Sequence, residues 1–190
     1  MAMHDLRVAP GRTYRYHRDP LFSFGSGLSL TTFALSVPEP QPSCLRSLQT
    51  STATAVCSVA VTVENTGKTD GDVVVLAYFR NTRSEQDWAA RRARQGVRNP
   101  DGRQLLTPQR QLFDFTRLHD VKAGSRQSIT FNVTASSVAE VDEKSGDLVS
   151  EQGQYELHFD DGSGTAEGAL AMSASVDGAT VVLEPFPSKV

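Results

Sequence analysis

Residues 56–80 read VCSVAVTVENTGKTDGDVVVLAYFR, and this stretch decides the fold. Its first half alternates: Cys57, Val59, Val61 and Val63 share one parity, and Ser58, Ala60, Thr62 and Glu64 the other. A period of two marks a strand with one buried face. Its second half, Val73 to Phe79, is almost wholly apolar, which predicts a strand buried on both faces. Between them lies Asn65-Thr66-Gly67-Lys68-Thr69-Asp70-Gly71, where Gly and Asn tolerate positive φ and let the chain reverse. The unit reads as two core strands of a β-sandwich, with the rest of the chain packed around it.

The flanking sequence extends that reading. Upstream, Arg12 to Tyr16 alternates and predicts an edge strand, and Leu30 to Val37 predicts the first sandwich strand. Pro38, Pro40 and Pro42 end it and open a loop running to about Thr54. Downstream, Gln111 to Leu118 alternates loosely. Ile129, Phe131 and Val133 form an apolar parity opposite Thr130, Asn132 and Thr134, and Tyr155, Leu157 and Phe159 another within 153–161. Ser136 to Val141 reads as a short helical turn, and 169–176 with 180–183 as a final strand or hairpin. The tail 185–190 is expected to fray.

Composition bounds the function. A chain of 190 residues is most simply one domain with tails, long enough to bury a core without staples. A net charge of −3 and a pI near 5.8 argue against a protein-wide field for nucleic acid or membrane. No apolar run approaches the roughly 20 residues needed to span a bilayer. The first residues, Met1-Ala2-Met3-His4-Asp5, hold no apolar core of a secretory signal. The expectation is a chain that stays inside the cell, or the tail of something larger that carries its own signal.

One piece is helix-like. Residues 85–95, EQDWAARRARQ, combine helix formers with acids in the first turn; Ser84 is a candidate cap and Gly96 a candidate stop. Eight arginines (Arg80, Arg83, Arg91, Arg92, Arg94, Arg98, Arg103 and Arg110) crowd positions 80–110 against Glu85, Asp87 and Asp101. Two readings stand: a basic arm that docks on an acidic neighbour, or a solvated surface helix. No nucleic-acid reading motif accompanies the charge. Trp88, the single tryptophan, either offers a ring to a sugar or anchors the helix on the sandwich, and the second is favoured.

Catalytic signatures are scarce. The adjacent carboxylate pairs Asp142/Glu143 and Asp160/Asp161 are poor candidates for glycosidase chemistry, because neighbours in a strand point to opposite faces. His4, His17, His119 and His158 are dispersed, and no nucleophile elbow, phosphate loop or zinc-protease motif occurs. No catalytic, metal or cofactor-binding residue is assigned, and no cofactor is expected. Cys44 and Cys57 are a candidate disulfide closing a loop of about 14 residues, worth ~3 kcal/mol in the chain-entropy model; the alternative is two thiols in a reducing compartment. Asn132-Val133-Thr134 is an N-glycosylation sequon with its Asn on the outward parity.

Three segments in order, GRTYRY (11–16), PLFSFGSGLSLTTF (20–33) and VTVENTGKTDGDVVVLAYF (61–79), resemble the C-terminal part of glycoside hydrolase family three, the β-glucosidases and β-xylosidases. The likeness continues through PQRQLFDF (108–115), KAGS (122–125) with ITFNV (129–133), and GQYEL (153–157), and covers about 10 to 162. The resemblance departs at Ser26 and Leu30, where the family has tyrosines, and in a longer 81–107 connection. It implies an immunoglobulin-like, fibronectin type III-like β-sandwich of about seven strands spanning 28–184, after an incoming linker (1–27), with the helical insertion at about 82–107. It implies a non-catalytic accessory domain of a β-xylosidase-like enzyme, since the family's nucleophile and acid/base lie in domains outside this chain. The implied partners are those catalytic domains, in cis or in trans; the alternative is a free-standing module that binds polysaccharide or protein. The family is usually secreted. Candidate interface residues are Leu21, Phe22, Phe24, Trp88, Arg91, Arg92 and Arg94, and an exposed apolar patch around the first three is the feature that favours the accessory role.

Overall fold

The computed structural model describes residues 6–39, 48–49, 57–83, 85–96 and 105–187. In chain order the described strands are β1 (Phe33–Ser36), β2 (Leu48–Gln49), β3 (Cys57–Asn65), β4 (Gly71–Asn81), β5 (Gln111–Val121), β6 (Arg126–Val133), β7 (Glu140–Val141), β8 (Leu148–Ser150), β9 (Gly153–Asp160), β10 (Ala169–Asp177) and β11 (Val181–Glu184). Two helices, α1 (Thr13–Tyr16) and α2 (Glu85–Gln95), and a 3₁₀ turn (Ser136–Val138) complete the set.

Two sheets form the sandwich, one ordered β1-β3-β6 and the other β2-β10-β9-β4-β5. Seven of these strands are substantial; the eighth, β2, contributes two residues in a parallel pairing with β10. Every other pairing in the two sheets is antiparallel. The fold is therefore the expected all-β sandwich, with a small third sheet, β11-β8-β7, beside it.

The opening stretch does what its pattern dictates. Cys57, Val59, Val61 and Val63 are fully buried along β3, while the other parity faces outward. β4 is buried on both faces through Val73, Val75, Leu76, Ala77, Tyr78 and Phe79. The two strands are not a hairpin; they belong to different sheets, and residues 66–70 carry the chain across the sandwich. Asn65 fixes this crossing. Its buried carboxamide accepts from Thr31 Oγ1 at 2.6 Å and from the Gly67 amide at 3.1 Å. It donates to the carbonyls of Thr69 at 2.8 Å and Val121 at 2.9 Å. All its hydrogen-bonding capacity is used, so burial of this polar group is compensated.

The core lies between the sheets. The inner parities of β1, β3 and β6 meet those of β4, β9 and β10, and Phe131 packs on Phe159 with ring centroids 5.1 Å apart. On β9, the Tyr155 hydroxyl donates to the Glu151 carbonyl at 3.1 Å, tying the start of the strand to its incoming turn. That local tie is the tyrosine-corner device of immunoglobulin-like sandwiches.

One expectation fails at the N-terminus. Arg12 to Tyr16, read as an edge strand, contains the single-turn helix α1. The reason is Gly11, whose φ is +83° and whose absent Cβ would lie 2.5 Å from the Tyr16 carbonyl. Only glycine allows the chain to fold back so tightly. Tyr16 is thereby buried, and Gln109 and Leu106 donate backbone bonds to Arg15 and Arg7 at 2.7 and 2.8 Å. Residues from 6 onward, read as a linker, are thus tied to the sandwich.

Candidate functional site

The outer face of the five-stranded sheet carries an apolar patch on β4 and β5, beside the polar outward side chains Glu156, His158 and Asp160 of β9. Leu76 and Tyr78 point away from the core yet are buried, because residues 12–27 lie over them. Tyr14 packs between Phe24 (4.8 Å) and Tyr78 (5.8 Å) and accepts a hydrogen bond from the Leu112 amide at 3.1 Å. Gly25 crosses Leu76 so closely that a Cβ would sit 2.4 Å from its Cδ1. The Arg110 guanidinium lies 4.2 Å from the Tyr78 ring centroid and is held by Asp160 at 3.0 Å. Burial pushes the Tyr78 phenol up to about 12.

This cover is itself bare. Leu21, Phe22 and Leu30 are 91, 78 and 91% exposed, Leu28 is fully exposed, and Phe24 is half exposed. Phe115 on the edge strand β5 is also exposed and stands opposite Leu76 in register, on the same face. Alongside, a cleft of about 800 Å³ opens between residues 11–24 and β4–β9, lined by Arg12, Arg18, Arg80, Arg110 and two histidines among others.

The arginine-rich helix forms where expected, and Gly96, at φ +68°, ends it. The proposed cap, Ser84, lies outside the described residues, as do Arg98 and Arg103. Three candidate interface residues do not face outward. Trp88, Arg91 and Arg92 recur at helical spacing on one stripe and are buried against the domain. Arg91 forks onto Glu151 at 2.6 and 2.7 Å, and Arg83 reaches the same carboxylate at 3.0 Å. Arg92 forks onto Glu143 at 3.0 Å and donates to the carbonyls of Leu105 and Leu106. Arg83, Arg91 and Arg92 all stand over the Trp88 ring, 4.9 to 5.7 Å from its centroid. The helix is not a free basic arm: Arg91 and Arg92 are spent inside the domain, while its other face, with Asp87 and Arg94, is exposed. The indole anchors the helix, and of the candidate interface residues on it Arg94 alone stays exposed.

The carboxylate pairs have structural partners. Asp142 lies 3.4 Å from Arg91 and closes its own turn by accepting from the amides of Lys144 and Ser145. Glu143 takes Arg92 and Arg7, Asp160 takes Arg110, and Asp161 accepts from the Ser163 amide. One buried acid was not flagged by the sequence: Glu140, beside Asn81, is raised by desolvation. Among the histidines, His17 and His158 line the cleft, and burial lowers His158. His119 is exposed beside Asp72 at 2.9 Å, and His4 lies outside the described residues. Among the described residues no group of three or more acids, histidines and cysteines is arranged to hold a metal, and no helix is long and apolar enough to cross a membrane.

Asn132 is exposed on the outer face of β6, its carbonyl accepting from Ser58 Oγ at 3.0 Å. Cys57 is fully buried and disulfide-bonded, while Cys44 lies outside the described residues.

The two facing sheets, the crossing at Asn65 and the tyrosine corner define a fibronectin type III-like sandwich, and residues 97–163 match the fibronectin type III-like domain family. The chain is a fibronectin type III-like domain of the kind that family-three glycoside hydrolases carry. It is 29% identical over 202 aligned positions to a probable exo-1,4-β-xylosidase of Aspergillus fumigatus, covering 98% of this chain and 23% of that protein. It is 31% identical over 149 positions to a xylan 1,4-β-xylosidase of Xylanibacter ruminicola, covering 78% of this chain and 14% of that one. Among solved structures, a family-three exo-β-xylosidase superposes with a TM-score of 0.68 at 26% identity, over 94% of this chain and 22% of its own. A β-glucosidase from Listeria innocua, at 19% identity and a TM-score of 0.60 over 85% of this chain and 18% of its own, shares the fold. The chain thus spans less than a quarter of the length of these relatives.

Proposed function

We propose that this sandwich is the accessory, non-catalytic domain of a β-xylosidase-like hydrolase, and that it stabilises and positions catalytic domains by docking through its residue 21–30 face. The observation that carries the reading is the bare apolar run itself: Leu21, Phe22, Leu28 and Leu30 sit exposed on one short segment that is tied down at both ends. A contiguous apolar patch rimmed by polar residues marks an interaction surface. The candidate carboxylates, each engaged by arginine or by its own turn, support a role without chemistry in this chain. Cys44 is proposed as the partner of Cys57, readable by peptide mapping without reduction.

The test has two parts. An antibody against this chain is expected to detect, in its source cells, a species several times heavier than 20.6 kDa. The isolated chain is expected to self-associate and to bind an apolar fluorescent dye, both reversed by Leu21→Ser with Phe22→Ser and Leu30→Ser. A native mass of 20.6 kDa, with a monomer indifferent to that triple substitution, would overturn the reading in favour of a free-standing module.

A further inference from the structure

Among the described residues the two facing sheets end in four edge strands, β1 and β6 on one and β2 and β5 on the other. An edge strand offers unpaired backbone groups to any other strand that meets it, and folded proteins blunt theirs. Three of these edges are blunted. β1 has four residues and β2 has two. β5 is long, but its pairing with β4 shifts register twice, and Asp114, Arg117 and Asp120 stand exposed along it. Two of its amides also donate to carboxylates, Phe115 to Asp114 at 2.8 Å and Asp120 to Asp72 at 3.0 Å.

β6 has none of these devices. It runs for eight residues in unbroken register with β3 and pairs with no other described strand. Its one charge, Arg126, stands at its start and is held by Glu64 at 2.8 Å. Residues 127–133, QSITFNV, hold no charge, proline or glycine. That is the composition of a segment that stacks with copies of itself. What β6 does carry, on its outward parity, is the asparagine of the sequon Asn132-Val133-Thr134.

The geometry suits a modified asparagine. Asn132 is exposed, its Oδ1 accepts from Ser58 Oγ at 3.0 Å, and its Nδ2 has no partner among the described residues. Its neighbours on that face are Ser58 across the pair, Ala60 on the diagonal and Thr130 on its own strand, so no ring or ion pair stands in the way of a sugar. The next residue, Val133, lies opposite the disulfide-bonded Cys57. Disulfides form in oxidising compartments, and the secretory lumen where N-linked glycans are added is one of them.

We propose that Asn132 carries an N-linked glycan and that this glycan guards the open edge of β6. In the transfer, Nδ2 bonds to C1 of the first sugar of a lipid-diphosphate oligosaccharide. The bond from C1 to the diphosphate oxygen breaks, its electron pair leaves with the lipid diphosphate, and Nδ2 gives up one proton. The inference does not rest on docking, because Asn132 lies on the sheet opposite the one that residues 12–27 cover.

Occupancy is read on protein captured from its source cells with an antibody against this chain. Trypsin releases residues 127–144 as one peptide in which Asn132 is the single asparagine. Peptide N-glycosidase in heavy-oxygen water is expected to convert that asparagine to an aspartate bearing one heavy oxygen. Recovery of unmodified Asn132 alone would overturn the proposal. The guarding role is read on the full chain secreted from a eukaryotic host, with Leu21→Ser, Phe22→Ser and Leu30→Ser removing the docking face from the measurement. Held well below its melting temperature, the Asn132→Gln chain is expected to form dye-binding β-aggregate several-fold faster than the glycosylated chain, with melting unchanged. Adding Thr130→Lys on the edge is expected to restore the slow rate without the glycan, and adding Thr62→Lys on the central strand β3 is not. Equal rates with and without the glycan, or equal rescue by the two lysines, would also overturn it. None of these outcomes touches the docking reading, which the triple substitution tests separately.

Discussion

The two outer faces of the sandwich are built from the same kind of strand and end in opposite states. On the three-stranded sheet the outward parity is Ser58, Ala60, Thr62 and Glu64 of β3 beside Arg126, Ser128, Thr130 and Asn132 of β6. These side chains satisfy one another, as Ser58 does Asn132 and Arg126 does Glu64, and meet water without cost. On the five-stranded sheet the outward parity includes Leu76 and Tyr78 on β4, with Leu112 and Phe115 opposite on β5, next to Glu156, His158 and Asp160 of β9. The apolar part cannot be left to water, so residues 12–27 lie across Leu76 and Tyr78, and the segment presents leucines and phenylalanines in turn. One face is finished in polar side chains; the other is covered by a segment whose own leucines and phenylalanines are exposed.

The largest test of that contrast compares one residue from each face. Tyr78→Ala removes a fully buried ring from under Tyr14 and Arg110 and is expected to cost about 4 kcal/mol, as large aromatic deletions do. Thr130→Ala, on the finished face, is expected to cost about 0.5 kcal/mol. Urea midpoints at constant slope measure both. Equal losses would mean that residues 12–27 add nothing to the sheet they cover.

A smaller effect is expected where α2 is pinned. Arg91→Ala leaves the half-buried Glu151 with Arg83 as its remaining partner, and a loss of about 2 kcal/mol is expected, below the usual value for an abandoned, fully buried charge. Adding Glu151→Gln should recover part of it, because the uncompensated charge goes with the partner. If the double substitution is as unstable as the single one, the network acts by packing around Trp88 rather than by charge.

That network also marks where sequence reasoning stopped. Strands β3, β6 and β9 are legible because alternation by two is a local property and their burial follows it residue by residue, and β4 because a continuous apolar run implies burial on both faces. α1 is not legible, because Arg12 to Tyr16 alternates like a strand and its conformation is set by the backbone contact between Gly11 and Tyr16. The helix α2 is legible but its direction is not. Arg91 and Arg92 are neutralised by Glu151, Asp142 and Glu143, some 51 to 60 residues away. A charge run cannot reveal partners that far along the chain; the one available sign was that Trp88, Arg91 and Arg92 share a stripe. The apolar run at Leu21, Phe22 and Phe24 could be named from the sequence as a candidate exposed patch, and the structure leaves it exposed, whereas the cleft beside it is lined by arginines far apart in the chain.

The pH dependence sharpens the comparison between the core side and the surface. Glu140, buried and raised above its ordinary 4.5, holds its proton more tightly when folded. Its stabilising contribution is therefore full below 4.5 and is lost as pH rises through the higher folded value. Asp72, on the surface, runs the other way: Arg117, the Asp120 amide and His119 lower it from 3.8 to about 2. Its contribution is present above 3.8 and lost as pH falls toward 2. Glu140→Gln is expected to raise the urea midpoint at pH 7 and leave it unchanged at pH 4, and Asp72→Asn to flatten the limb between pH 4 and 2. A neutral-pH loss in Glu140→Gln would show that the ionised carboxylate is favoured by Arg83 and Arg91 over the cost of burying it.

The smallest thermodynamic effect carries the sharpest functional contrast. Leu21→Asn alters an exposed residue, so the isolated chain should change by less than about 0.5 kcal/mol. With Phe22 and Ser23 it also creates a second sequon, on the unfinished face, to set against Asn132 on the finished one. In a eukaryotic secretory host, a glycan on Asn132 would extend from the Ser/Thr surface into solvent, whereas one on residue 21 would stand where the catalytic part is proposed to dock. Glycosylation at 132, removable by a glycosidase, is expected to leave the hydrolase intact and as heat-resistant as Asn132→Gln. Glycosylation at 21 is expected to lower the temperature at which the whole enzyme loses activity, with the melting of the isolated domain unchanged. If the two glycans are tolerated alike, the exposed leucines and phenylalanines do not meet the catalytic domains, and the asymmetry of the sandwich serves another partner.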